Sequence, residues 1–423
     1  MALLLRALDV LGIPVDANSG APTSRGSTSA VDINAIVTKA KKRQDMMAEL
    51  IALLDGTEVG RVRSDARGRL TFVYENAWRN AEGACPLSLS MPLAAEEHGP
   101  ATVQAFLWSC ILTTSRCSSA GPRNFRYRRN VFALISNVGE NCAGAIQFVT
   151  PDRLQALKTG KDDKIEWLDK PEIANRLRVL REDHAAWRLP RDTGQFCLAG
   201  GQPKTALVLK DNKWGIPSGR IPTTHILKPL TGDFDGHADN EHNCLQLARE
   251  LGLPAAETKV MRFEQEIAIV VERYDRQVSG NDIIRVHQED ICQAMGIPPT
   301  KKYQNVGGPT PADVVELLRT YSTDREADLE TFVSALVFNW LIGGSDAHAK
   351  HYSLLRASGP LVRLAPLYDI ASILPYDHVD QRKIKLAMKV GGEYKLDQIG
   401  LRQWEKFARE TNLQWFRGGG LCL

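Results

Sequence analysis

Near residue 288 the chain changes its periodicity, and that change restricts the architectures open to it. Between Phe196 and Tyr274, short apolar or alternating runs separated by glycine and proline read as strand, glycine-rich turn, strand, strand, helix and strand. After Gln288 the spacing becomes almost wholly helical. Thr310-Pro311-Ala312-Asp313 offers a capping threonine, a proline at the first helical position and an acid in the first turn. Leu329, Phe332, Val333, Leu336, Val337, Trp340 and Leu341 then recur at three- and four-residue steps. They predict a buried helix whose end delivers Gly343-Gly344-Ser345-Asp346 to a loop. A β-rich lobe followed by an α-helical lobe is an α+β, bilobal arrangement with a cleft between the lobes.

The 423 residues leave room for two or three domains. Residues 1–47 read as an N-terminal helix followed by a flexible linker, because Asn18–Ser29 is dominated by Gly, Ser, Thr, Ala and Pro. A β-rich module is expected over 48–150, with a turn at Asp55-Gly56 and further strands at Leu70–Tyr74, Leu87–Leu93, Phe132–Val138 and Ala143–Val149. Helices and charged linkers dominate 151–195, the second β-rich lobe closes near residue 276, and 277–423 forms the helical lobe.

With 43% hydrophobic and 24% charged residues the chain is neither a disordered tail nor a disulfide mini-protein. A net charge of +3 argues against wholesale polyanion binding, so any nucleic-acid contact needs a local patch. Arg116, Arg123, Arg126, Arg128 and Arg129, interleaved with Phe125 and Tyr127, form one such stretch; a solvated basic loop has the same composition. The eight cysteines are scattered and read as reduced. No apolar run is long enough to span a bilayer and no signal peptide is evident, so a cytoplasmic protein is expected.

Chemistry is concentrated in a few places. Ala199-Gly200-Gly201-Gln202-Pro203-Lys204 links two strands and is either a tight turn or a loop that brings backbone N–H groups and a lysine against phosphates. Lys228 ends the next strand, and Glu241, in the first turn of the following helix, can hold it in place. Ile267–Val271 is an apolar strand that stops at Glu272-Arg273-Tyr274, either where a nucleotide cleft would have its hinge or as an edge strand ending in charged residues. Asp346-Ala347-His348-Ala349-Lys350-His351 is followed 23 residues after Asp346 by Asp369. In a phosphotransferase Asp346 would accept the substrate hydroxyl proton and Asp369 would hold magnesium. Two Asp and two His also suit a transition-metal hydrolase.

The strings A-G-G-Q-P-K, T-T-H-I-L-K, E-R-Y-D-R, H-Q-E-D-I-C-Q-A-M-G, S-D-A-H-A-K and L-Y-D-I occur in an order that resembles the HipA-type serine/threonine-protein kinase toxins. The L-S-L-S-M-P-L stretch at Leu87–Leu93 is similar to that family's N-terminal subdomain. The resemblance implies a protein-kinase-like fold using ATP and Mg2+ and toxicity through phosphorylation of an aminoacyl-tRNA synthetase, glutamyl-tRNA synthetase in the type member. It also implies a HipB-like helix-turn-helix antitoxin, with which the toxin represses its own operator DNA. Carried over by motif, Ala199 to Lys204 would cradle phosphates, Lys228 would contact them, and Glu272 to Tyr274 would form the hinge. His348, Ala349, Lys350, His351, Tyr368 and Asp369 would line the rest of the nucleotide site, with Asp369 and His351 at the metal and Asp346 as base.

The sequence departs from that family in four places. Cys197 stands where a serine is usually autophosphorylated, and His351 replaces a magnesium-binding asparagine. Ser109–Ala120 lacks the usual leucine-leucine-proline-aspartate-asparagine motif, and the helical lobe ends early, at Leu423. These departures suggest an alternative, a weakened kinase fold that bridges antitoxin and operator.

Overall fold

A computed structural model describes residues 48–111, 130–183, 197, 200–230, 236–280 and 282–413. The N-terminal helix and linker, the arginine run, Ala199 and the last ten residues lie outside the described residues.

Apolar side chains on alternating strand positions build the first sheet. β1 (Ala48–Leu54) and β2 (Thr57–Ser64) form a hairpin in which Asp55 and Gly56 both take positive φ, 45° and 80°. A tight two-residue turn between right-twisted strands demands that geometry, and Asp-Gly supplies it at low cost. With β3 (Leu70–Tyr74), β4 (Glu97–His98) and β5 (Ile146–Val149) the antiparallel order is β4-β3-β2-β1-β5. Leu50, Val62 and Phe72 pack against α1 (Pro100–Cys110) and α2 (Val131–Val138).

Two expected strands are absent here. Phe132–Val138 lies in helix α2, whose buried Val131, Phe132, Ile135 and Val138 keep a helical spacing and whose first turn is capped by the Asn130 side chain accepting from Ala133 N–H. Leu87–Leu93 contributes only an isolated bridge between Ser88 and Met91. Its backbone is held by side chains instead: Tyr74 Oη accepts from Leu87 N–H at 2.7 Å and donates to the Met91 carbonyl at 2.6 Å.

The second sheet runs β10-β11-β9-β7-β8-β6 and is antiparallel wherever its strands pair. Its strands are β6 (Lys164–Leu168), β7 (Thr205–Lys210), β8 (Lys213–Ser218), β9 (His225–Pro229), β10 (Thr258–Phe263) and β11 (Glu266–Glu272). Helix α3 (Lys170–Glu182) buries Ile173 and Leu177 among Leu207, Leu227 and Val270 of this sheet, while α4 (His237–Glu250) packs on β10 and β11. β6 falls in a segment expected to be helices and linkers, and pairs along β8 from Lys164 to Leu168.

Helix α5 (Pro311–Tyr321) begins with a reciprocal capping box between Thr310 and Asp313. Helix α6 (Arg325–Leu341) buries Phe332, Ala335, Leu336 and Phe338, although Leu341 at its end is 51% exposed. With α7 (Leu401–Glu410) these helices share one core that includes Val314, Phe332, Trp404 and Phe407. The expectation of an almost wholly helical lobe needs correction. Strands at 287–290, 353–356 and 362–364 form a sheet inside it, and 385–390 pairs with 393–395. The result is an α+β chain in which two β-rich parts precede a helical lobe.

Buried carboxylates, each ion-paired within its own part, also take hydrogen bonds from the first module. Glu289 accepts from Ser88 Oγ at 2.5 Å, Leu89 N–H at 2.9 Å and Arg356 at 3.0 Å, and His287 Nε2 meets the Leu87 carbonyl at 2.9 Å. Asp275 is gripped by both Arg273 Nε and Nη2, at 2.9 and 2.7 Å, and accepts from Gly144 N–H at 2.6 Å. A two-pronged guanidinium fixes carboxylate geometry as well as charge.

Candidate active site

A cavity of about 530 Å³ lies where the second sheet meets the helical lobe. From the sheet side it is lined by Gly200, Gly201, Gln202 and Lys204, by Lys228 and Glu241, and by Glu272, Arg273 and Tyr274. The helical lobe contributes Asp346, His348, Lys350, His351, Tyr368 and Asp369. Of the residues singled out by sequence, Pro203 and Ala349 do not line it, and Ala349 is fully buried beneath.

Register explains Lys228. β9 is a central strand between β11 and β7, with Lys228 opposite Ile269, so its side chain leaves a buried sheet. Its Nζ is 2.7 Å from Glu241 Oε1 and 2.8 Å from Asp369 Oδ1. Burial alone would make the ammonium easier to deprotonate, but Asp369 and Glu241 outweigh it and hold Lys228 above its ordinary value. Burial would likewise raise Asp369, and Lys228, His351 and Lys204 together keep it well below the usual carboxylate range. Glu241 moves the other way, because burial outweighs its lysine. Asp369 sits at φ +58°, a left-handed conformation that aspartate tolerates better than most residues other than glycine.

The glycine loop is shaped by the same lysines. Gly200 has φ +110°, and a Cβ there would stand 2.4 Å from Lys204 Nζ. Glycine therefore serves both the backbone conformation and the close approach of an ammonium. Lys204 is buried, which lowers its pKa to about 8 against the pull of Asp369. Cys197, at the root of this loop, is buried and its thiol donates to the Cys110 carbonyl, while its N–H donates to the Asn141 carbonyl.

The opposite wall depends on how α6 ends. Gly343, at φ +66°, closes the helix, and a Cβ on Gly344 would lie 2.2 Å from Asn339 Oδ1, so the chain turns tightly into Ser345 and Asp346. Asp346 is exposed to the cavity and accepts from Tyr303 Oη at 2.5 Å. The rings of His348 and His351 lie with centroids 3.8 Å apart at a 48° tilt, and His351 Nε2 is 3.4 Å from Asp369 Oδ2. Burial lowers the pKa of both imidazoles, more so at His348.

Two singled-out side chains are engaged elsewhere. Lys350 is paired with Asp290 at 2.5 Å, and the Arg273 guanidinium bonds Asp275, Thr223 and the Cys142 carbonyl, leaving hinge backbone at the cavity. Tyr303 and Lys302 were not legible as site residues. Lys302, whose pKa burial lowers against Asp346, lines the cavity with no motif around Lys301-Lys302-Tyr303 to mark it.

Family models for a HipA-like C-terminal domain and a HipA N-terminal domain match residues 196–417 and 50–149. The chain belongs to the HipA family. It is 34% identical over 373 residues to the Y4mE protein of Sinorhizobium fredii, covering 85% of this chain and 84% of that protein. Similarity also extends to the serine/threonine-protein kinase toxin HipA of Shewanella oneidensis, 29% identical over 293 residues, 66% of this chain and 64% of that one. A chain in the solved complex of S. oneidensis HipA, HipB and operator DNA superimposes with TM-score 0.71 at 25% identity, covering 86% and 85% of the two chains. The bilobal α+β architecture is thus the kinase-like fold of HipA proteins. Among the described residues, no helix is long and apolar enough to cross a membrane.

Proposed function

We propose that this HipA-family chain is an ATP- and magnesium-dependent protein serine/threonine kinase, the toxin of a toxin–antitoxin pair acting in the cytoplasm. The observation that carries this reading is Lys228 bridging Glu241 and Asp369 across the cleft at 2.7 and 2.8 Å. Such a lysine, fixed by a helix glutamate beside a metal-binding aspartate, is how kinases hold the phosphates of ATP. Catalysis of phosphoryl transfer is largely positioning and charge neutralisation, and both fit this corner.

The Asp369 carboxylate fits magnesium, which takes one or two carboxylates together with substrate phosphates. The imidazole of His351 does not suit so hard a cation. When bound, magnesium would neutralise charge on the terminal phosphates. Lys228 and the backbone N–H groups of Gly200 and Gly201 would donate to phosphate oxygens, with the Glu272–Tyr274 backbone reading adenine. Tyr303 holds one Asp346 oxygen, leaving the second to accept the substrate hydroxyl proton. The hydroxyl oxygen then bonds to the γ-phosphorus as the bond to the ADP oxygen breaks.

The protein substrate proposed is an aminoacyl-tRNA synthetase, with glutamyl-tRNA synthetase the first candidate, and the partner a HipB-like helix-turn-helix antitoxin. The S. oneidensis complex with HipB and operator DNA supports that partnership and autorepression through it. The retained charged corner favours a kinase over a bridging module. Wild type and Asp346→Ala are to be compared for transfer of labelled phosphate to a panel of synthetases. Transfer by wild type alone supports the reading, and equal transfer by both removes Asp346 from the mechanism. Lys228→Ala is expected to weaken nucleotide binding at least tenfold, about 1.4 kcal/mol.

A further inference from the structure

Among the described residues, Asp346, His348 and His351 each offer one ligand atom, and these atoms all lie within 4.8 Å of one another. His348 is 2% exposed, yet among the described residues neither of its ring nitrogens meets a hydrogen-bond partner, nor does His351 Nδ1. Burying such groups without partners is costly, so a ligand that takes one nitrogen of each ring regains part of what the fold forgoes. Tyr303 occupies one oxygen of Asp346 and leaves the other facing the cavity. We propose that Asp346, His348 and His351 form a binding site for a divalent transition cation, zinc being the reference ion.

The donor set decides the ion. Two imidazoles and one carboxylate select borderline metals over magnesium or calcium. Bonds of about 2.1 Å in a tetrahedral arrangement separate donors by roughly 3.4 Å, so the triad closes by at most about 1.4 Å. The exposed side of Asp346 is open to water, which would supply the fourth donor. The nearby ammonium of Lys302 disfavours a purely electrostatic guest and leaves nitrogen ligation as the source of affinity.

Occupancy has a functional consequence that rests on the kinase reading. An Asp346 carboxylate bound to the ion cannot take the substrate proton, so the cation is an inhibitor of transfer and not its cofactor. The substitution that replaces asparagine by histidine at 351 would then have added metal sensitivity to the site.

The test is titration of purified, chelator-stripped chain with Zn2+ by calorimetry, without nucleotide, alongside Co2+ titration read by visible absorption. One equivalent is expected to bind at micromolar concentration or tighter, with a Co2+ spectrum of nitrogen–oxygen ligation and no displacement by millimolar Mg2+. His351→Asn and Asp346→Asn are each expected to weaken binding at least about tenfold with circular dichroism unchanged. Failure of wild type to bind one equivalent, or undiminished binding by both variants, overturns the site. Transfer assays then separate the two readings. Zinc should inhibit wild type at lower concentration than His351→Asn, and equal inhibition overturns the regulatory role. Absence of transfer in metal-free, magnesium-supplied wild type overturns the kinase reading and leaves the titration to decide the site.

Discussion

The seam between the N-terminal module and the rest of the chain and the loop Asp346–His351 both place charged and polar groups in buried surroundings, but they treat them oppositely. At the seam, Glu289 and Asp275 each accept from several donors, including paired arginines. In the loop, an exposed aspartate adjoins imidazole nitrogens that no group among the described residues satisfies. Fold stability demands the first arrangement, because an unpaired buried charge is expensive. A binding site can tolerate the second, because its ligand completes it. Multiply bonded carboxylates thus mark scaffold at the seam and open imidazole nitrogens mark a binding site in the loop, while in the cleft Lys228 pairs with Glu241 and Asp369.

That division is open to attack by mutation. Asp346→Asn should reduce phosphate transfer on the order of 10³-fold, the usual contribution of a positioned general base, with an unchanged urea midpoint. A shifted midpoint would place Asp346 in the scaffold. Glu289→Gln should do the reverse, costing about 3–5 kcal/mol in urea unfolding because Arg356 is left buried and unpaired, while ATP affinity of the folded fraction stays within about twofold. A change in affinity without loss of stability would erase the distinction.

Acid separates the regions further. Burial would raise Asp275, but Arg273 and Arg276 outweigh it and lower its pKa from 3.8 to about 2. Its folded value being depressed, the stability it contributes is complete above 3.8 and is lost as pH falls toward about 2. Roughly 2 kcal/mol should disappear over that interval in wild type and not in Asp275→Asn, measured by urea unfolding at each pH. The same slope in both proteins would mean that other carboxylates carry the acid sensitivity. The smallest effect is expected at Gly200→Ala, where a positive φ imposed on alanine costs about 1 kcal/mol and should raise the KM for ATP several-fold. An unaltered KM would show that this loop does not touch the nucleotide.

Much of the cleft was legible because residue type and position coincide there. A lysine near the end of an apolar strand, a glutamate early in the next helix and an aspartate after a glycine-terminated helix point to Lys228, Glu241 and Asp346 from sequence, although Glu241 falls in the second turn of α4 and not the first. The helix at Val131–Val138 was missed because a short apolar run fits either period, and its one local signal is the capping Asn130. Leu87–Leu93 alternates like a strand, yet its polar positions face Glu289 and Gln293 far along the chain instead of a neighbouring strand. Tyr303 and the partnership of Lys350 with Asp290 depend on tertiary approach across tens of residues, which no local pattern encodes.

Cys197, at the start of the HipA-like C-terminal domain, is fastened through its backbone to Asn141 and through its thiol to Cys110, both in the preceding module. A fragment trimmed to begin at the glycine loop would lose both of these contacts with that module.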